Sequence, residues 1–470
     1  MALHRFELGE GSEQELSIRP QFAELGQVGP LPRFRLPRGG MPADTAYQVV
    51  HDELMLDGNA RLNLATFVTT WMERQAEDLM AECADKNLID KDEYPQTAEL
   101  ERRCVNILAH LWHAAAHGGE AATGCSTSGS SEACMLGGMA LLWRWRQRQQ
   151  AAAGGALDPA RRPNLVMGAN VQVCWEKFCR YWNVEARLVP VSAAATHLTA
   201  EGAVTHCDEN TIGVVAILGS TFDGVYEPVA EIADGLDGLA RQSGLNVPIH
   251  VDGASGGLVA PFVDPSVEWD FRLPRVQSIN VSGHKYGLVY PGIGWVVWRD
   301  SSALPDDLVF KVDYLGGEMP TFTLNFSRPG AQVAVQYYHF LRLGFAGFKA
   351  IQDTCRDVAH YLAREISRLG PFELVSDDFG IPAFAFRLED PAGAGYTVYD
   401  VSEALRGSGW IVPAYTMPPA IEDMAVLRIV VRNGFGRNLA DLLLDHLRLV
   451  IERLEGGAHS SSSARTGFHH

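Results

Sequence analysis

Between residue 59 and about residue 347 the chain alternates short apolar runs with longer amphipathic ones. Residues 164–167, 211–218, 248–251, 277–281 and 294–298 are short, apolar and rich in β-branched side chains, the pattern of buried strands. Stretches at 133–148 and 229–243 carry helical spacing. This alternation predicts an α/β fold, a mostly parallel sheet with helices on both faces. Beyond residue 348 the pattern becomes a long helix to about 369, strands at 383–387 and 427–431, and a last helix at 439–454. That is a second, smaller α/β unit. Ahead of residue 59, the Pro/Gly/Arg stretch 29–40 cannot be regular helix, whereas 44–55 reads as a short amphipathic helix ending before Asp57-Gly58. The expected division is an N-terminal arm at 1–58, a large domain at 59–347, a small C-terminal domain at 348–455 and a flexible tail at 456–470. No internal repeat interrupts it.

Composition narrows the classes. A chain of 470 residues, 47% of them hydrophobic, exceeds what one core holds, so at least two structural units are expected. Acids outnumber bases 57 to 39, and the formal net charge is −18. No basic stripe is left to neutralise phosphates, which argues against nucleic acid as a partner. The cysteines (Cys83, Cys104, Cys125, Cys134, Cys174, Cys179, Cys207 and Cys355) show neither CxxC spacing nor a disulfide framework. They read as small buried hydrophobes in a reducing compartment, and no metal site is expected. Residues 1–20 hold no apolar signal segment, and no uncharged run approaches the ~20 residues of a spanning helix. A soluble, cytoplasmic protein with no integral membrane segment is the expectation.

Three short motifs carry candidate chemistry. Ser282-Gly283-His284-Lys285-Tyr286 follows the apolar run 277–281. A lysine in a Gly-containing turn after a strand can present its amine into a cavity and form a Schiff base with a carbonyl cofactor. A plain surface-loop lysine is the alternative. Asp252 ends another apolar run, in His250-Val251-Asp252-Gly253-Ala254-Ser255-Gly256-Gly257, where small residues let a flat ligand approach. Ligands of open α/β sheets bind at such strand ends. A carboxylate there can keep a pyridine nitrogen protonated, which makes the ring an electron sink. Ser128-Gly129-Ser130-Ser131-Glu132-Ala133 opens the helical stretch 133–148, with hydroxyls and free N–H groups suited to a phosphate. Ordinary helix capping is the alternative reading. Phosphate nest, strand-end acid and turn lysine in that order are far rarer than any one alone.

On these motifs the chain resembles a fold-type I pyridoxal-phosphate enzyme of the glutamate decarboxylase family. The matching stretches also include Asn63-Leu64-Ala65-Thr66-Phe67, Ile89-Asp90-Lys91-Asp92-Glu93-Tyr94-Pro95, Val171-Gln172-Val173-Cys174-Trp175-Glu176-Lys177 and Asn325-Phe326-Ser327-Arg328-Pro329. The resemblance covers most of the chain and implies a sheet of the seven-stranded type. It implies pyridoxal 5'-phosphate on Lys285, with Asp252 at its ring nitrogen. Ser130, Ser131, Ser282 and His284 would surround the phosphate, with Ser327 reaching it from a neighbouring subunit. Gln172 would lie on one face of the ring, Ala254 near the other, and Thr221 by its edge. Thr66, Phe67 and Asp90 match positions around the distal carboxylate of the substrate, and Arg428 a position associated with carboxylate binding. A solvated turn acid and a structural ion pair are the plain readings of Asp90 and Arg428.

The implied reaction converts L-glutamate to 4-aminobutanoate and CO2, taking up one proton per turnover, which suits acid tolerance. A homo-oligomer is implied, a dimer at least and up to a hexamer. Gly168-Ala169-Asn170-Val171-Gln172 resembles plant members of the family, but the tail lacks their basic, Trp-containing calmodulin segment. It ends in Gly467-Phe468-His469-His470, similar to bacterial tails that plug the site near neutral pH, so His469 and His470 are candidate regulatory residues. A decarboxylase of another amino acid, aromatic or aspartate, and a catalytically silent assembly subunit are the rival readings.

Overall fold

A computed structural model describes residues 33–114, 121–155, 160–312 and 319–456. Two compact units divide between Asn59 and Ala60. In the first, the helix Ala43–Leu54 follows Pro42 and agrees with the amphipathic stretch read from sequence. Its Tyr47, Val50 and Leu54 are exposed and fall at helical spacing.

The second unit is built on seven strands: β1 (Gly124–Thr127), β2 (Asn164–Gly168), β3 (Glu185–Val189), β4 (Thr211–Ile217), β5 (Ile249–Asp252), β6 (Val276–Val281) and β7 (Gly294–Trp298). They lie in the order β1-β7-β6-β5-β4-β2-β3. The ladders from β3 through β2, β4 and β5 to β6 are parallel, and β7 runs antiparallel to both its neighbours. The five strands expected from sequence are β2, β4, β5, β6 and β7. Alternate residues of β4 enter different apolar clusters, Val214 and Ala216 in one, Val215 and Ile217 in the other, so both faces of the sheet are covered. The helix Val229–Ser243 shows how: Val229, Ile232, Ala233 and Leu236 are its buried stripe, and Gly244 (φ 78°) ends it in the left-handed conformation.

A short pair, β8 (Phe310–Val312) with β9 (Met319–Thr321), follows. The long helix Ala331–Ser367 is broken at Gly344 (φ 57°, ψ −172°). Beyond it, β10 (Phe372–Leu374), β11 (Ala383–Leu388), β12 (Ala414–Thr416) and β13 (Ala425–Val430) form an antiparallel sheet in the order β10-β11-β13-β12. Leu443, Leu444 and Leu447 of the helix Arg437–Glu455 share a separate apolar cluster with Phe384, Phe386 and Leu427 of this sheet. Among the described residues no helix is long and apolar enough to cross a membrane.

Candidate active site

Strand register fixes the first part of the site. β5 ends at Asp252, and its ladders set Ile217 of β4 on one side and Asn280 of β6 on the other. Asp252 is buried, yet both its oxygens are engaged. Trp175 donates its indole N–H to Oδ2 at 2.8 Å, while Asn280 Nδ2 and the Ala254 N–H donate to Oδ1 at 3.0 and 3.1 Å. The Cys134 thiol lies 3.7 Å from Oδ2. Cys134, Cys174 and Asp252 bring potential ligand atoms within 4.8 Å of one another. The carboxylate of that group, however, already serves Trp175 and Asn280.

The turn after β6 carries Ser282, His284 and Lys285. Lys285 Nζ donates to Ser255 Oγ at 3.1 Å and lies 5.2 Å from the centroid of the Phe67 ring. Burial pushes its amine below the ordinary lysine range, against the opposing pull of the Asp252 carboxylate. His284 accepts the Ile293 N–H on Nδ1 at 3.3 Å, which leaves its proton on Nε2. Burial and the Lys285 charge hold this imidazole at about 4, so it is neutral above that pH.

Ser130 begins the helix Ser130–Ala152, so its hydroxyl and neighbouring N–H groups face outward from a helix N-terminus. Ser282 Oγ lies 2.7 Å from Ser130 Oγ, and Asn280 Nδ2 donates to the same oxygen at 3.2 Å. Glu132 anchors the loop from below. It accepts the Ser128 N–H and hydroxyl on one oxygen and the Leu324 and Asn325 N–H groups on the other. A Cβ on Gly129 would sit 3.1 Å from the His284 ring, so the bare backbone there is what lets imidazole and nest approach.

These groups enclose a cavity of about 310 Å³. Ser130, Ser131, Ser282, His284 and Lys285 line it, as do Asp252, Ala254, Gln172 and Thr221. Gln172 also caps the helix Val173–Tyr181, its Oε1 accepting the Cys174 N–H at 2.6 Å. Arg428, in the middle of β13, is buried and, among the described residues, has no carboxylate partner. Its guanidinium donates to the carbonyls of Thr221 and, at 2.7 Å, Ala65. It lies 4.8 and 5.4 Å from the Phe67 and Tyr415 ring centroids, and its Nε has no partner. Thr66 accepts the Val68 N–H on its hydroxyl.

Five candidates are not part of the cavity lining: Thr66, Phe67 and Arg428, of which Phe67 adjoins it beside Lys285 and Arg428 beside Thr221, and also Asp90 and Ser327. Asp90 accepts the Glu93 N–H in a turn, and Ser327 is exposed. Asn87 ties the two together, its carbonyl accepting the Asp90 N–H and its amide donating to Ser327 Oγ at 3.4 Å. His469 and His470 lie outside the described residues. Sequence reasoning assigned no role to Trp175, Asn280 or Ser255.

The donor set suits pyridoxal phosphate: hydroxyls and amides at a helix N-terminus for a phosphate, a primary amine for a carbonyl, and a buried carboxylate for a ring nitrogen. Residues 37–389 match the model of the pyridoxal-dependent decarboxylase conserved domain. The glutamate decarboxylase of Aliivibrio fischeri is 53% identical over 423 residues, 90% of each chain. Glutamate decarboxylase 5 of Arabidopsis thaliana is 51% identical over 449 residues, 96% of this chain and 90% of its own length. The solved glutamate decarboxylase of Lactobacillus brevis superposes with a TM-score of 0.88 at 45% identity, covering 94% of this chain and 99% of its own. The chain therefore belongs to the pyridoxal-dependent decarboxylases, enzymes of pyridoxal 5'-phosphate, and within them to the glutamate decarboxylase family.

Proposed function

We propose that this enzyme decarboxylates L-glutamate to 4-aminobutanoate and CO2. The observation that carries the proposal is the convergence of Lys285, Asp252 and the Ser130 helix terminus on one cavity in a chain about half identical to glutamate decarboxylases. Bound there, pyridoxal phosphate supplies a sink for the electron pair left when the bond from Cα to the α-carboxylate breaks. Lys285 attaches the cofactor carbonyl, and its lowered basicity keeps a fraction of the amine neutral and nucleophilic. With the cofactor bound, the Lys285 amine would be placed to hold a proton and return it to Cα. Asp252 holds the ring-nitrogen proton. Ser130, Ser131, Ser282 and His284 hold the phosphate, and Gln172, Ala254 and Thr221 bound the ring. Arg428, a buried cation satisfied only by carbonyls and ring faces, orients a substrate carboxylate. Thr66 and Phe67 line the distal side.

Asp90 and Ser327 act in the cavity of a second copy, which makes a dimer the smallest active species and admits a hexamer. Three observations support this reading: both residues lie on one patch through Asn87, Ser327 is exposed, and the apolar Leu324 and Phe326 beside it are exposed as well. Light scattering that finds a fully active monomer removes it. The domain division at 59–347 and 348–455 is supported by the helix break at Gly344 and the separate C-terminal cluster, with 1–58 as an arm. Eight cysteines, all free thiols, favour a reducing cytoplasm. His469 and His470 are proposed as regulatory residues, because free imidazoles lose their charge near ~6.5. Deletion of residues 456–470 that leaves the pH profile unchanged excludes that role.

A panel of L-amino acids assayed for CO2 release tests the activity. L-glutamate is expected to be turned over with L-aspartate and aromatic amino acids near background. Preferred turnover of any of those instead overturns the proposal.

A further inference from the structure

We propose that Trp175, Asn280 and His250 are positioning residues for the Asp252 carboxylate, forming a buried hydrogen-bonded frame that fixes the direction in which this acid meets the cofactor ring. The inference rests on the reading of Asp252 given above and extends it to side chains that touch neither substrate nor cofactor.

The frame has one consistent assignment of donors and acceptors. Asn280 donates its amide N–H to Asp252 Oδ1 at 3.0 Å, so its own Oδ1 faces away. That oxygen is 2.7 Å from His250 Nε2, which must then carry the imidazole proton. His250 Nδ1 is left as an acceptor for the Ser278 hydroxyl, also at 2.7 Å. Burial holds His250 at about 4, so above that pH the ring is neutral and Nδ1 accepts. Ser278, His250 and Asn280 are all buried, 1%, 0% and 0% exposed, so no water substitutes for a lost partner.

Trp175 completes the frame on the other side. Its indole N–H grips Oδ2 at 2.8 Å, while its ring edge packs on the His250 imidazole at 4.9 Å and 65°. The helix above passes close over the imidazole: only a glycine fits at 137, where a Cβ would collide with the ring. The carboxylate therefore has a donor on each oxygen, and rotating it breaks one or both. A plain structural cap at the end of a strand needs neither the paired side-chain donors nor the histidine behind them.

The test uses the full-length enzyme carrying Trp175→Phe, which keeps an aromatic ring and removes the N–H, and Asn280→Ala, which removes the link to His250. In each, the cofactor dissociation constant is expected to rise, and kcat to fall, about ten- to hundredfold, the weight of one charge-assisted hydrogen bond. KM for L-glutamate is expected to stay unchanged, and the pH midpoint of the bound cofactor's absorption to shift. A purely structural role would not move that midpoint. Wild-type dissociation constant, kcat and midpoint in Trp175→Phe overturn the inference, whether or not Asn280→Ala folds. Asp252→Asn is measured alongside. If it weakens cofactor binding and moves the spectrum while Trp175→Phe does not, the frame fails and the role of Asp252 stands. If Asp252→Asn is also silent, both fail.

Discussion

On the proposed function Lys285 has two tasks that call for opposite protonation states, a neutral amine to attach a carbonyl and a charged one to return a proton. Its surroundings are balanced for this: burial favours the neutral form and the Asp252 carboxylate the charged one. The side chain makes one polar contact, to Ser255 Oγ, so it contributes little to the fold. Lys285→Ala is expected to lose activity about a thousandfold or more, with the circular-dichroism spectrum and unfolding midpoint nearly unchanged. Residual decarboxylation above about 1% of wild type would exclude Lys285 as the attachment point. Arg428 is the less familiar case. A buried guanidinium without a carboxylate is costly unless a ligand supplies the charge, and its neighbours here are two carbonyls and two ring faces.

At the scale of elements, the site depends on how closely the helix Ser130–Ala152 approaches the sheet. Gly137 lies on that helix opposite His250, and a Cβ there would overlap the imidazole. Alanine favours helix by ~1 kcal/mol over glycine, so propensity alone predicts stabilisation. Overpacking a core costs about 1–3 kcal/mol and is expected to win, because the His250 ring is held at both nitrogens. Gly137→Ala should therefore lower the urea midpoint, and a raised midpoint would show that the ring can give way. The same elements show what the sequence made legible. β2, β4, β5, β6 and β7 are apolar runs, and hydrophobic pattern alone found them. β1 is four residues with no branched apolar side chain, and β3 lies at the sheet edge with Glu185, Ala186 and Leu188 exposed, so neither carries a strand signal. The long helix was expected only after residue 348, but it begins at Ala331. Val333, Ala334 and Val335 are all buried in its first turns, which erases the one-sided period that marks a helix. Lys285, Asp252 and the serine nest stood out as motifs of adjacent residues. Trp175 and Asn280 did not, because their meaning arises only where separate elements converge on Asp252.

Across the whole molecule, burial of titratable groups sets how stability varies with pH. Burial holds His250, His284 and His339 at about 4, and among the described residues neither ring nitrogen of His339 has a partner. Glu227 is pushed in the opposite direction, up to about 7, although Ile217, Leu198 and Asn170 donate to it. Between about pH 4.5 and 6.5 the unfolded chain binds three more protons at these histidines, and the folded chain one more at Glu227. The net difference is two protons in favour of the unfolded state. Stability is thus expected to fall by about 2.7 kcal/mol per unit as pH drops, roughly 5 kcal/mol across that window. Unfolding free energy that rises toward pH 4.5 would contradict this balance. The central claim, that Lys285 carries the cofactor in a site made for L-glutamate, is tested most directly by borohydride reduction followed by peptide mapping. The account predicts the pyridoxyl mass on the peptide containing Lys285, much reduced when L-glutamate is added before the reductant and undiminished with L-tyrosine. Label on Lys86, Lys91, Lys177, Lys311 or Lys349 instead, or protection by L-tyrosine but not by L-glutamate, would contradict it.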